Sequence, residues 1–339
     1  MRKLSILFLF PLCLAWSLTH GCVNSPDNQP HDSFSTAESG EVSETQLESI
    51  TIQGEPWSFK EKLLFSVPWG KEGGELGKED VGGRPGPMSF ALDDNGSIVV
   101  ADSINGQIKK FDKEGHVQKI LNIGEVLPEY VSVDSRNHIR VLFYDSLEVA
   151  YRVVRFDENG QEIENLDVNV PQPTEVFSVG ENTFVESRHE WVYSMGSSIS
   201  EEQNKWEPFA KGRPDAGDPS IFWAAAKVNA QSGGVVLLNA SNQAGRQIRS
   251  ISLRPNGRLL SLFSLNTDSK GNVYVGFYVE DRAELAIISP EGELIGHLPL
   301  RPIRYTGSKR FVAVSRNGRV VEMRTTAEEV TFVELEWRI

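Results

Sequence analysis

Strand-length blocks dominate the arrangement of apolar and polar positions in this chain. HIRVLFYD (138–145), GGVVLLN (233–239), NVYVGFYV (272–279), RVVEMRT (319–325) and VTFVELEW (330–337) alternate or run as continuous β-branched stretches, and a 3.6-residue period is nowhere sustained. The pattern predicts an all-β chain. Its clearest statement lies between Gly82 and Leu121, where MSFALD, SIVVAD, QIKKFD and HVQKIL are separated by turns at Asp94–Gly96, Asp102–Gly106 and Lys113–Gly115. Asn, Asp and Gly at those positions tolerate the positive φ angles that tight hairpins need. The stretch reads as one four-stranded antiparallel sheet, which cannot bury both faces without copies of itself on either side.

The hairpin signals recur. Turns joining a first to a second strand are expected at Arg136-Asn137, Glu181-Asn182, Ser232-Gly233, Lys270-Gly271 and Asn317-Gly318. Outer hairpins are expected at Glu114-Gly115, Asn159-Gly160, Asn256-Gly257 and Glu291-Gly292. This spacing predicts a six-bladed β-propeller of four-stranded antiparallel blades, an architecture that leaves only short sheet edges. The last unit offers three strands, FVAVS, RVVEMRT and EVTFVELEW, so the strand-like run Ser58–Val67 is expected to join it as the fourth and close the ring. The glycine-rich segment 68–87 would then cross from the rim to the axis; it contains no G-x-x-x-x-G-K-[ST] phosphate loop.

Within Ala91–Gly115, D-x-x-G precedes V-V-A-D, S-x-N-x-x-I follows, and K-F-D-x-x-G marks the next hairpin. This run resembles the NHL type of β-propeller repeat. The resemblance implies the fold; NHL-like propellers serve as enzymes, protein-binding scaffolds and RNA binders, so it does not choose an activity.

The chain opens with a targeting segment. Arg2 and Lys3 precede an apolar stretch, Leu4 to Leu18, too short for a comfortable membrane span, and Gly21 precedes Cys22. The arrangement resembles a bacterial lipoprotein processing site, which implies a signal peptide over residues 1–21 and lipidation of Cys22; an ordinary cleaved signal peptide is the alternative. Cys13 falls inside the removed segment, leaving Cys22 no disulfide partner in an oxidising compartment. Residues 22–50 are poor in large apolar side chains and read as a disordered tether, with the propeller over 51–339. The expected location is the cell envelope, anchored through the lipidated N-terminus. Val23 after the cysteine fits the outer membrane in a two-membrane bacterium.

Charge narrows the partners. The net charge of −13 argues against nucleic acid, whose phosphates require clustered cations. The local exception, Arg301, Arg304, Lys309, Arg310, Arg316, Arg319 and Arg324, is expected to pair with acidic neighbours or to offer a surface to an anionic partner, with about half of it facing solvent.

Candidate site residues follow from the propeller plan, in which connections between second and third strands gather at one end of the central channel. That ring includes Asp102, Asp145, Arg188, His189, Trp191, Asn239, Asn242, Asp281 and Arg282. The third unit departs from the repeat over Ser197–Ser220, an insertion that carries Trp206 and Phe209 amid charge. The binding candidates are therefore Asp145, Arg188, His189, Trp191, Trp206, Asp281 and Arg282. Calcium on Asp102, Asp145, Asn239 and Asp281 has a precedent in propeller lactonases, but no lactonase motif supports it, and no cofactor is expected. His116, His138 and His297 fall at hairpins or outer strands, where solvated roles are expected. There is no G-x-S-x-G and no zinc-binding histidine pair. Two readings stand: an anchored binding or scaffold module for an envelope protein, peptide or glycan, and a periplasmic or surface hydrolase or lyase with a metal-assisted site at the channel mouth.

Overall fold

The computed structural model describes residues 47–52, 57–78, 86–124, 126–145, 148, 150–195, 208–228, 233–280, 282–301 and 308–337. The chain divides into units 1–43 and 44–339, and all described residues lie in the second. Cys22, Trp206 and Asp281 lie outside the described residues, as does the whole segment 197–207.

Six sheets make a β-propeller, and no helix occurs among the described residues. With strands lettered A to D from the axis outward, blade 1 comprises Ser89–Leu92, Ile98–Asp102, Gln107–Phe111 and Val117–Asn122. Blade 2 comprises Leu127–Val133, Ile139–Asp145, Ala150–Phe156 and Glu162–Val168. Blade 3 comprises Pro173–Val179, Asn182–Ser187, Trp191–Met195 and a short Ala210–Lys211. Blade 4 has Arg213–Pro214, Ile221–Val228, Val235–Asn242 and Gln247–Arg254. Blade 5 has Leu259–Thr267, Val273–Val279, Arg282–Ile288 and Leu294–Leu300. Blade 6 has Val312–Val314, Val320–Thr325 and Glu329–Trp337, with Phe59–Pro68 as its D strand.

One turn chemistry explains the repeat. Asp93 Oδ1 accepts hydrogen bonds from the Asn95 and Ser97 backbone N–H groups at 3.0 and 2.7 Å. Asp112, Asp134, Asp157 and Asp268 do the same for the residues two and four positions on. Each such aspartate satisfies two donors that the hairpin would otherwise leave bare. These turns define the AB end of the disc; turns between B and C strands define the opposite BC end.

Blade 4 differs from the expected register. Its AB turn is Asp215–Ile221, which closes with Asp215 N–H donating to Ile221 O at 2.8 Å, and not Ser232-Gly233. Gly233 and Asn256-Gly257 belong to connections at the BC end: Gly233 O accepts from Leu259 N–H, and Arg258 O from Glu280 N–H. Asn242 therefore closes a CD turn at the AB end, where its carbonyl accepts from Gly245 N–H. Asn239 lies within the C strand, 2.8 Å from Ser250 Oγ. The cause is strand A, only Arg213–Pro214, which has no apolar run to announce it. Part of the presumed insertion is thus ordinary blade, supplying the D strand of blade 3 and the A strand and first turn of blade 4. Gly212 makes the crossing between them. It has φ +98°, and a Cβ there would sit 2.5 Å from the Trp223 backbone. Gly212→Ala is expected to cost at least about 2 kcal/mol in a denaturant melt, from left-handed strain plus overpacking.

The residues before blade 1 wrap the outer rim. Leu47–Thr51, inside the segment assigned to the tether, pairs in parallel with Gln247–Arg254 as a fifth strand on blade 4. Trp57 N–H then donates to His297 O of blade 5 at 2.8 Å, and Phe59–Pro68 pairs with Glu329–Trp337, closing the ring as expected. Phe65 from this belt lies 5.0 Å from Phe332 and 5.8 Å from Phe111, so one side chain joins blades 6 and 1. Four apolar clusters fill the layers between blades, except between blades 3 and 4, where Phe209 packs between Phe184 and Phe222. His297 corrects the solvated expectation: it is buried, with Nε2 3.0 Å from Glu284 Oε2.

Candidate functional site on the axis and its two ends

Inner strands of a propeller pack against one another, and apolar side chains are expected there. Two of them carry a buried glutamate instead, Glu129 in LPEYVSV and Glu175 in PTEVFSV. Glu175 accepts from Arg310 through Oε1 and faces Arg213 Nη2 through Oε2. Arg213 also donates to Leu265 O at 2.6 Å and Asn266 Oδ1 at 2.9 Å, while its Nε lies 3.5 Å from Glu186 Oε1. Glu186 Oε2 is 2.8 Å from His189 Nδ1. Lys309 pairs with Glu129, Arg310 donates to Val131 O, and the backbone N–H groups of both basic residues reach Met88 O. The network thus touches elements of all six blades. Its charges neutralise one another, which is what tolerates them at buried positions.

The pairing overrides burial. Burial pushes the Glu186 carboxyl up, yet Arg213 and His189 beside it bring it below the ordinary carboxylate range. Burial pulls the His189 imidazole down, yet Glu186 raises it above the ordinary histidine value. A raised histidine contributes stability below its unfolded pKa and loses it as pH rises through the folded value; the lowered carboxylate contributes above its unfolded value and loses it as pH falls through the folded one. The pair therefore stabilises most between those limits. An NMR titration of His189 is expected to midpoint above free histidine, and in Glu186→Gln at or below it; an unshifted midpoint in the variant would contradict the pairing.

At the BC end the structure locates five of the sequence-derived candidates, each engaged within its own neighbourhood. Asp145 ends strand B of blade 2 and accepts from Glu148 N–H at 3.2 Å. Arg188, His189 and Trp191 share the BC turn of blade 3. Arg188 Nε donates to Gln172 Oε1 at 2.7 Å, and Trp191 is 37% exposed with Lys211 Nζ 5.6 Å from its ring centroid. Arg282 opens strand C of blade 5, donating to Asn256 O at 2.9 Å. Only the blade 3 trio is brought together. Asp102, considered for calcium, is instead a buried anchor for Lys109 at 2.9 Å, Asn105 at 2.8 Å and Gly77 N–H at 2.9 Å. Among the described residues no group of three or more His, Cys, Asp or Glu is placed to hold a metal ion.

The basic cluster is largely paired, as expected. Arg301 and Arg324 converge on Glu61 of the rim strand, and Arg319 pairs with Glu334. At the AB end lies a feature the sequence did not announce. A funnel of about 320 Å³ opens over Arg213, bounded by the AB turns of five blades and, in blade 5, by Asn266 and Thr267 at the end of its A strand. The available signal was the charged residue placed where an inner strand should be apolar.

No family model matches the sequence, and no curated protein matches it. Solved structures match by shape. A Bacteroides fragilis protein called a putative exported protein superposes with a TM-score of 0.50 at 8% identity, covering 87% of this chain and 100% of that one. A gluconolactonase of Xanthomonas campestris gives 0.48 at 12%, over 83% and 90%, and a streptogramin B lyase 0.45 at 9%, over 84% and 100%. At such identities the likeness concerns fold alone.

Proposed function

We propose that this protein is an exported, lipid-anchored propeller of NHL-like repeats that presents its BC end to an envelope protein, peptide or glycan. The observation that carries the reading is the BC turn of blade 3. Arg188 and His189 both have left-handed backbone, φ 56° and 59°, where glycine or asparagine would sit at little cost. Two such residues store roughly 1–2 kcal/mol each, and retained backbone strain is a pointer to a working surface. Here it holds Arg188 and Trp191 toward solvent, while His189 is tied back to Glu186. A half-exposed tryptophan beside an arginine is a composition suited to a binding hot spot. The axial charges, by contrast, are spent on one another.

The reading is tested with Arg188→Asn and Trp191→Ala. Arg188→Asn relieves the backbone, so stability is expected to hold or rise by up to about 1 kcal/mol while partner capture from envelope extracts weakens. Undiminished capture by both variants would remove this face as the binding surface. The anchor is tested by mass spectrometry of the mature N-terminus, expected to begin at a lipidated Cys22; an unmodified cysteine or another cut would overturn it.

A further inference from the structure

We propose that the funnel at the AB end is a binding site for a neutral, polyhydroxylated small molecule about the size of one sugar ring. The site is separate from the BC face and independent of the function proposed for it. Leu92, Val133, Phe177, Arg213, Asn266 and Val314, one from each blade, show that the funnel lies on the axis. Its volume, about 320 Å³, falls at the small end of ligand pockets, which run from about 300 to 1,000 Å³.

The lining chemistry selects the ligand class. Asn266 Oδ1 is taken by Arg213, but its Nδ2 is buried with no hydrogen-bond partner. A buried amide donor left bare costs about 1–3 kcal/mol, so a turn of the side chain that brings it to an acceptor oxygen on a ligand would be favoured. Arg213 itself is fixed, lying 4.9 Å from the Phe177 ring centroid and bound to Leu265 O, so the funnel floor is rigid before anything enters. At the rim Asp94 and Arg316 are exposed, and neither side chain has an ion-pair partner among the described residues. Asp215, also on the wall, accepts from Gly217 N–H at 2.7 Å, Asp218 N–H at 3.0 Å and Trp223 Nε1 at 3.0 Å, with no cation beside it among the described residues. An anion would meet Asp94 and Asp215; a cation would meet Arg316, while Arg213 is already neutralised by Glu175 and Glu186. Hydroxyl groups donate to carboxylates and accept from amide and guanidinium, so a neutral polyol can partner Asp94, Arg316 and the Asn266 amide without opposing either charge.

The test is calorimetric titration of the full mature protein with D-glucose, D-galactose and N-acetyl-D-glucosamine, with succinate and spermidine as charged counterparts. At least one sugar is expected to bind saturably. Asn266→Asp, which keeps the acceptor for Arg213 but removes the orphan donor, is expected to weaken that binding tenfold or more. Ser178→Trp, a bulky replacement on the half-exposed funnel wall, is expected to abolish it, and Trp191→Ala to leave it unchanged. Thermal melts establish that each variant is folded, and Ser178→Trp decides should Asn266→Asp not fold. No sugar binding, binding indifferent to the folded funnel variants, or tighter binding of succinate or spermidine would overturn the proposal.

Discussion

Glu175→Gln is expected to lower the thermal midpoint by on the order of 10 °C. Glu175 is the shared counter-ion of Arg213 and Arg310, and all three side chains are buried. Removing its charge leaves two buried guanidinium groups with one fewer carboxylate. Breaking a buried pair from one side costs about 3–5 kcal/mol, far more than an exposed pair contributes. In a domain of this size each kcal/mol moves the midpoint by roughly 2–4 °C or somewhat less. The double variant Glu175→Gln/Arg213→Met is expected to fall by less than the sum of the single changes, because it removes one of the stranded charges as well. Strict additivity would show that the two residues do not act together. A midpoint unchanged in Glu175→Gln would show that the axial ions are solvated.

The second large effect concerns closure. A chain beginning at Trp57 loses the fifth strand of blade 4 and Ile52, which is 2% exposed. It is expected to fold as a monomer with about 1.5–3 kcal/mol less stability, the worth of one buried aliphatic side chain. A chain beginning at Trp69 also loses Phe59–Pro68. That deletion uncovers Phe332 and Phe111, strands Arg301 and Arg324 without Glu61, and leaves Glu329–Trp337 as a bare edge. Unpaired edges template aggregation, so this chain is expected to elute as aggregate with no cooperative melt. Size-exclusion chromatography and calorimetry of the two truncations separate the cases. Equal behaviour would deny the rim strand its closing role.

The fold was legible wherever local chemistry repeats. Asp93, Asp134 and Asp268 each sit one strand after an apolar run, so turn and strand announce each other. Blade 4 broke the reading because Arg213–Pro214 faces the channel and is polar, leaving Asp215 without its usual prelude. Leu47–Thr51 was hidden for a different reason. LESIT is short and half polar, and its place depends on a partner, Gln247–Arg254, about two hundred residues away.

The candidate site was legible only in part. Arg188, His189 and Trp191 could be placed because a BC turn position follows from strand counting. The axial network could not, since pairing of Glu175 with Arg310 and Arg213 depends on three blades meeting at one point. A glutamate inside PTEVFSV is a visible anomaly in the sequence, but only the closed ring supplies its partners.

The claim that the BC end is the working face is tested most directly by photo-crosslinking in intact cells. A benzophenone amino acid placed at Trp191 is expected to trap a discrete partner, while the same group at Lys270, on the AB end, traps none. A discrete adduct from position 270 with none from 191 would contradict the account.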